Sequence, residues 1–301
     1  MEALSAIDIA LWDIAGQAAG LPVWKLMGGR FRDKITAYAT GCYYPEDFRN
    51  LPSLLTALHA EAVSYADVGF GLLKVKIGML SLEDDIARLR TIRDAVGPKI
   101  GLLVDANHAY NATTAVGMGR MMEELGVLFF EEPVVPEDRE GYRKVRAENP
   151  VAVAGGECEF TCYGFRDFIA SGCVDIVQPD LAVCGGFTTF IHILALANSW
   201  GVASEPHVWG PGIAAALHAV ASIPAFFSPP MVCRCSISRS LNLTANIIHC
   251  VTTYLPSILI EENHHAISGK KLVNYRYCSR AGADGGADDF LDLQEIIHAL
   301  I

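Results

Sequence analysis

Positive charge is scarce in this 301-residue chain: 23 Lys and Arg stand against 34 Asp and Glu, a formal net charge of −11 at pH 7. That balance offers nothing to neutralise a phosphate backbone, which excludes nucleic acid and anionic membrane surfaces as expected partners. A small anionic substrate is still allowed, because a bound cation and a few lysines invert the field inside one pocket. Long hydrophobic runs are missing too. The longest, Gly212 to Phe227, has 16 residues and is broken by His218, Ser222 and Pro224. It is too short and too interrupted for a transmembrane helix. The opening Met-Glu-Ala-Leu-Ser-Ala-Ile-Asp has no basic segment, so no secretory signal is expected. There is no cysteine framework: nine cysteines are an odd count at irregular spacing, which suits reduced thiols in a cytoplasm. What the chain does have is material for a core, with 51% apolar and 19% charged residues, and wholesale disorder is excluded.

Short apolar runs that end in a polar residue recur along the chain. They are Leu72-Leu-Lys-Val-Lys-Ile77, Gly101-Leu-Leu-Val-Asp105, Val127-Leu-Phe-Phe-Glu131, Val151-Ala-Val-Ala-Gly-Gly-Glu157, Asp175-Ile-Val-Gln-Pro-Asp180 and Val202-Ala-Ser-Glu-Pro-His207, with Ile35–Thr40 as an earlier member. Helical patterns lie between them; in 82–96, Leu82, Ile86, Leu89, Ile92, Arg93 and Val96 keep helical spacing with one arginine as the exception. Alternating buried strands and helices mean βαβ units and a parallel sheet. From Lys76 the polar strand ends fall at Asp105, Glu131, Glu157, Asp180 and His207, steps of 29, 26, 26, 23 and 27 residues. One unit of a (β/α)8 barrel takes roughly 25–35 residues, and the C-terminal ends of its strands carry the active groups. The spacing therefore predicts an α/β fold of TIM-barrel type with six polar groups on one rim. A doubly wound sheet would set the same ends in a row. Helix capping accounts for one or two such acids, not for the set.

Asp105, Glu131 and Glu157 on adjacent strands would repel one another unless a cation sat between them. Oxygen-only ligands suit Mg²⁺ and not Zn²⁺. Glu131 is followed by Glu132 and Pro133; neighbouring strand residues face opposite ways, and the 26-residue step favours Glu131 as the ligand. Lys74 and Lys76 are two apart on one strand and point into the same space. Two close ammonium groups, partly buried, are expected to lower a lysine pKa toward a useful base. His207 faces Asp180 from the next strand, the arrangement of an Asp-oriented imidazole base. Lys76 and His207 on opposite sides of a metal suit abstraction of the proton α to a carboxylate.

These residues also carry a resemblance. Lys74-Val-Lys76, Asp105-Ala-Asn107, Glu131-Glu-Pro133, Gly155-Gly-Glu157, Pro179-Asp180 and Pro206-His207 resemble the mandelate racemase/muconate-lactonizing branch of the enolase superfamily. Ala6–Gly16 with Gly28-Gly29 is similar to that family's junction between cap domain and barrel, and the likeness covers roughly residues 3–226. Asp105-Ala-Asn-His108, Glu131–Pro136, Cys184-Gly-Gly-Phe187 and Pro206-His-Val-Trp-Gly210 look most like its sugar-acid enzymes, the lactone cycloisomerases above all. The resemblance implies a (β/α)7β barrel, Mg²⁺ held by Asp105, Glu131 and Glu157, and catalysis by Lys76 and His207 with Asp180 and Lys74. Asn107, His108, Glu132 and Trp209 become candidate substrate contacts, His108 having a structural role at the strand exit as its alternative. The reaction implied is Mg²⁺-dependent removal of the α-proton of a sugar acid or its lactone and loss of a β-oxygen, by a cycloisomerase or dehydratase. The alternatives are a racemase or epimerase of a 2-hydroxy acid, or a catalytically incompetent fragment that keeps the metal site. A full-length member is expected to associate with copies of itself.

The chain departs from the family pattern at both ends. Residues 1–30 supply only a remnant of the cap domain, 31–227 the barrel, and 228–301 an atypical tail in which no closing strand is legible. The resemblance thus implies an N-terminally truncated chain. A frameshifted or mis-joined reading would produce such a tail, and poor packing and low stability are expected of it. A zinc site from Cys233, Cys235, His249, Cys250, His264, His265 and Cys278 matches no finger or ribbon spacing. Gly185-Gly186 reads as an anion cradle or a tight turn. His59, His192 and His218 sit in helical patterns and need no function.

Overall fold

The structure, a computed structural model, describes residues 1–31, 35–45, 47–207 and 212–223, and the backbone of 234–238. In chain order the elements are α1 Glu2–Ala19, α2 Val23–Leu26, β1 Thr36–Gly41, α3 Leu51–Val68, β2 Leu72–Lys76, α4 Leu82–Val96, β3 Gly101–Asp105, α5 Ala112–Glu123 and β4 Val127–Glu131. They continue as α6 Arg139–Glu148, β5 Ala152–Gly155, α7 Thr161–Ala170, β6 Ile176–Val177, α8 Leu181–Cys184, α9 Gly186–Ser199, β7 Ala203–Ser204, α10 Gly212–Ala221 and β8 Arg234–Ser238. Every ladder is parallel, and the strand order is β7-β6-β5-β4-β3-β2-β1-β8. This is the curled α/β sheet of a TIM barrel, as the strand spacing predicts.

The sequence reading finds no closing strand beyond Phe227; the structure places one at Arg234–Ser238. It pairs with β1 from Thr36↔Arg234 to Thr40↔Ser238, and an eighth strand beside the first is the adjacency a barrel requires. Arg-Cys-Ser-Ile-Ser alternates polar and apolar residues instead of forming the continuous apolar run of β2 or β3, so it lacks the signature of its neighbours. Strands β6 and β7 are shorter than the predicted runs, and the residues beyond them meet again only at a parallel bridge between Asp180 and His207.

Two apolar layers follow from strand alternation. The larger one fills the space between sheet and helices, with Leu73, Val75, Leu102, Val104, Phe130 and Val153 facing helix residues such as Leu58, Leu89 and Ile92. The smaller is an inward layer to which seven strands give one residue each: Tyr38, Leu72, Leu103, Phe129, Ala154, Ile176 and Ala203. It lies on the strand face that carries the polar tier two residues further on. Helices begin where the sequence supplies an oxygen to a free backbone N–H: Ser81 accepts from Asp84 N at 3.2 Å, Asn111 from Thr114 N at 2.9 Å, and Asp138 from Gly141 N at 2.8 Å. The arginine that interrupts the apolar face of α4 spends its guanidinium on four carbonyls, donating to Leu125 O at 2.9 Å, Gly97 O at 2.7 Å, Ile100 O at 2.6 Å and Gly126 O at 3.5 Å.

Helix α1 docks on the start of α9 and settles the reading of Gly185-Gly186. Asp8 accepts from Thr188 N at 3.0 Å and Thr188 Oγ1 at 2.6 Å, and Gly185 N donates to Ser5 Oγ at 2.9 Å. The anion at this helix start is the chain's own Asp8. A Cβ on Gly186, whose φ is +76°, would fall 2.3 Å from the Asp8 carboxylate, so only glycine admits that approach. No helix among the described residues is long and apolar enough to cross a membrane.

Candidate active site

Two residues above the inward apolar layer, the same strand faces turn polar. Leu72 leads to Lys74 and Lys76, Leu103 to Asp105, Phe129 to Glu131, Ile176 to Gln178 and Asp180, and Ala203 to Glu205 and His207. Alternation alone therefore aims these groups at the barrel axis. Strand β5 needs a device, because Glu157 has the wrong parity relative to Ala154. Gly156 provides it with φ +114°, a conformation side chains rarely adopt, and a Cβ there would meet Phe165 at 3.0 Å. The turn returns Glu157 to the rim.

Asp105, Glu131 and Glu157 each offer an oxygen within 4.8 Å of the others. Asp105 and Glu131 are fully buried and Glu157 is partly exposed. Such a trio, all oxygen, can hold a metal ion and fits Mg²⁺. Glu157 Oε2 is a buried oxygen without an aligned hydrogen-bond donor, as an absent cation would leave it. The pair Glu131/Glu132 separates as alternation predicts: Glu131 stays on the axis, whereas Glu132 leaves the strand with φ +43°.

Lysines supply the positive charge here. Lys74 Nζ donates to Glu131 Oε1 at 2.6 Å and lies 3.3 Å from Asp105 Oδ2. Lys76 Nζ forms an ion pair with Asp105 and donates to Asn107 Oδ1 at 2.7 Å. One expectation is corrected. Burial does press the Lys74 pKa down, but Glu131, then Tyr38, Asp105 and Glu157, outweigh it, and the ammonium is held above its ordinary value. The neighbouring carboxylates decide the sign, not the second lysine. Asp105 responds in the opposite sense: burial opposes its ionisation, yet Lys74 and Lys76 hold its carboxyl below the usual range. Glu131 is pushed up to about 7, first by burial and then by Asp105, with Lys74 offsetting only part.

On the far side of the trio, His207 Nδ1 meets Asp180 Oδ2 at 2.7 Å and Nε2 lies 3.3 Å from Glu157 Oε2. Burial would lower the His207 pKa, but the Asp180 hydrogen bond and then Glu157 raise it above the ordinary imidazole value. Lys76 thus borders the trio at Asp105, and His207 borders it at Glu157.

A family model described as Enolase C-terminal domain-like matches residues 57–236. The chain belongs to that family. A second model, for the N-terminal domain of mandelate racemase and muconate lactonizing enzymes, matches residues 1–28. D-galactarolactone cycloisomerase of Agrobacterium fabrum is 42% identical over 225 residues, which are 74% of this chain and 58% of that relative. Arabinonate dehydratase of Saccharolobus solfataricus is 40% identical, over 70% of this chain and 55% of that one. The chain thus spans little more than half the length of these relatives. The crystal structure of 3,6-anhydro-D-galactonate cycloisomerase from Zobellia galactanivorans matches with a TM-score of 0.71 at 39% identity, covering 79% of this chain and 63% of that one. A racemase from Streptomyces coelicolor A3(2), solved with bound magnesium, matches with a TM-score of 0.69 at 30% identity, covering 81% of this chain and 67% of that one.

The remaining sequence candidates divide. Asn107 joins the centre, its N–H donating to Asp105 Oδ1 at 2.9 Å. His108 and Glu132 meet each other, Nε2 to Oε2 at 2.6 Å. Trp209 lies outside the described residues, as does the tail's Cys/His set apart from the Cys235 backbone. Gln178 was missed: 1% exposed, it donates to Glu131 Oε2 at 2.8 Å. Its signal was parity, two residues before Asp180 and two after inward-facing Ile176.

Proposed function

We propose that the chain carries the catalytic barrel of a Mg²⁺-dependent enzyme that removes the proton α to the carboxylate of a sugar acid or its lactone and expels a β-oxygen, as a cycloisomerase or dehydratase. The supporting observation is the placement of Lys76 and His207 on either side of the acidic trio, each in contact with one of its outer members. Asp105, Glu131 and Glu157 would hold the metal, which when bound would offset the negative charge that builds on the substrate carboxylate as the α-proton leaves. Lys76 Nζ or His207 Nε2 takes the proton from the face it borders, and the group opposite returns one to the departing oxygen. Asp180 holds Nδ1 of His207, so the free nitrogen of the ring faces the rim. Lys74 and Gln178 grip Glu131 from two sides and fix its carboxylate. The named cycloisomerase and dehydratase relatives support the same class.

The same flanking geometry favours one second reading, racemisation or epimerisation of a 2-hydroxy acid, in which one base removes and the other restores the proton. Both readings break the α-carbon–hydrogen bond: racemisation returns a solvent hydrogen to the α-carbon, whereas elimination gives an enol whose tautomerisation places one on the β-carbon. Incubation of the protein with Mg²⁺ and a panel of sugar acids and 2-hydroxy acids in D2O, followed by NMR, tests this. Deuterium in recovered substrate or in product, dependent on Lys76 and His207, is expected; no deuterium incorporation and no product with any member would overturn both readings. β-Elimination products separate the first from the second.

A further inference from the structure

A second convergence of side chains sits beside the acidic trio, and its chemistry is different. His108, Glu132 and Cys158 follow β3, β4 and β5, and one donor atom from each lies within 4.8 Å of the others. His108 Nε2 is 2.6 Å from Glu132 Oε2 and 4.0 Å from Cys158 Sγ. The backbone takes left-handed conformations at His108 and Glu132, with φ +67° and +43°. These turns carry the chain out of strand alternation, so the three groups meet one another instead of joining the axis. Glu132 is fully buried, and its carboxylate meets His108 Nε2 at 2.6 Å. A divalent cation among the three converging donors would balance the charge of a carboxylate held out of water.

The donor set decides which cation. Imidazole nitrogen, thiol sulfur and carboxylate oxygen form a zinc-type set, whereas Mg²⁺ prefers oxygen alone. Three protein ligands with one exposed member, Cys158, leave a fourth position toward solvent, the pattern of an open site. We propose that His108 Nε2, the Glu132 carboxylate and Cys158 Sγ form a second metal site, selective for Zn²⁺ or another thiophilic divalent ion, next to the oxygen-only trio. On binding, the Cys158 thiol gives its proton to solvent and the sulfur coordinates as thiolate. The site stands on its own ligands and does not depend on the reaction proposed above.

Cobalt(II) reports such a site directly, through a thiolate-to-cobalt charge-transfer band. The full chain, held in excess Mg²⁺ to fill oxygen-only sites, is titrated with Co²⁺. One equivalent is expected to give the band, and Zn²⁺ to bleach it. Cys158→Ser, a near-isosteric change at an exposed position, should abolish the band. His108→Gln should weaken Co²⁺ binding about 10–100-fold. Asp105→Asn and the double variant Cys233→Ser/Cys235→Ser should keep it, separating this site from the trio and from the tail thiols. A band that survives Cys158→Ser, or no band in the unaltered chain, would overturn the proposal.

Discussion

Asp180 serves two partners with its two oxygens: Oδ2 meets His207 Nδ1 at 2.7 Å, and Oδ1 accepts from Ala182 N at 2.7 Å at the start of α8. Capping and catalysis are therefore not rival explanations of this residue. The cap fixes the carboxylate, and the fixed carboxylate orients the imidazole.

That double role makes a prediction. His207→Asn removes the ring and is expected to lower turnover by about 10²–10⁴-fold. Asp180→Asn keeps an oxygen for Ala182, so the melting temperature should hardly move. Its amide N–H then donates to Nδ1 and forces the proton onto Nε2, which can no longer accept one. Turnover should fall at least about 10-fold with KM little changed. Undiminished turnover in Asp180→Asn, with the fold unchanged by circular dichroism, would show that Asp180 is only a cap.

Metal addition gives the second. If the trio binds Mg²⁺, stability rises by about 2.7 kcal/mol when free Mg²⁺ reaches about 100 times Kd, and the melting temperature should climb with Mg²⁺ concentration. Asp105→Asn should remove that response. Ca²⁺ accepts more ligands in a larger sphere, so a smaller shift is expected from it. A melting curve that ignores Mg²⁺ in the unaltered chain would rule out the trio as a magnesium site.

The barrel and most of this rim were legible because both rest on one period. Runs such as Gly101–Asp105 state their own strand, and a polar residue two places beyond an inward apolar one states its direction. Three things escaped that rule. Arg234–Ser238 alternates where its neighbours are continuous, so β8 read as tail. The sign of the Lys74 shift needs the distances to Glu131 and Asp105, which spacing does not contain. The meeting of His108, Glu132 and Cys158 depends on left-handed turns after three strands, and alternation predicts nothing once the strand has ended.

A third prediction concerns what holds Lys76 in place. Arg88 is fully buried and donates to Lys76 O at 3.0 Å, Cys42 O at 2.9 Å and Asp85 Oδ1 at 2.8 Å. Its guanidinium lies over the Tyr44 ring at 3.9 Å. Arg88→Met leaves Asp85 charged and buried and frees two carbonyls, which should cost about 3–5 kcal/mol in chemical denaturation. Arg88→Lys keeps the charge but cannot reach all three acceptors, so an intermediate loss is expected. A loss of less than about 1 kcal/mol in Arg88→Met would mean that water replaces the guanidinium.

The last prediction is a pH effect away from the rim. His218 on α10 is 7% exposed, and its Nδ1 accepts from Trp24 N at 3.3 Å. Burial pushes its pKa down to about 4 from the model-peptide value of 6.5. Folding thus favours the neutral ring. The contribution is fully present above pH 6.5, where folded and unfolded chains are both neutral at this position. As the pH falls below 6.5 the unfolded chain binds a proton that the folded one refuses, so stability drops; the loss levels off below about 4, once the folded ring also protonates. The size is on the order of 3 kcal/mol, from about 1.4 kcal/mol per pKa unit. His218→Gln keeps an acceptor for Trp24 N but has nothing to titrate. Glu131, whose raised pKa makes the folded chain take up a proton before the unfolded one, works in the opposite sense over this range, so the informative quantity is the difference between the two proteins. Denaturation measured from pH 7 to 4.5 should show the unaltered chain losing stability faster than His218→Gln, with the curves converging toward acid. Parallel curves across that range would show that His218 already carries its proton in the fold.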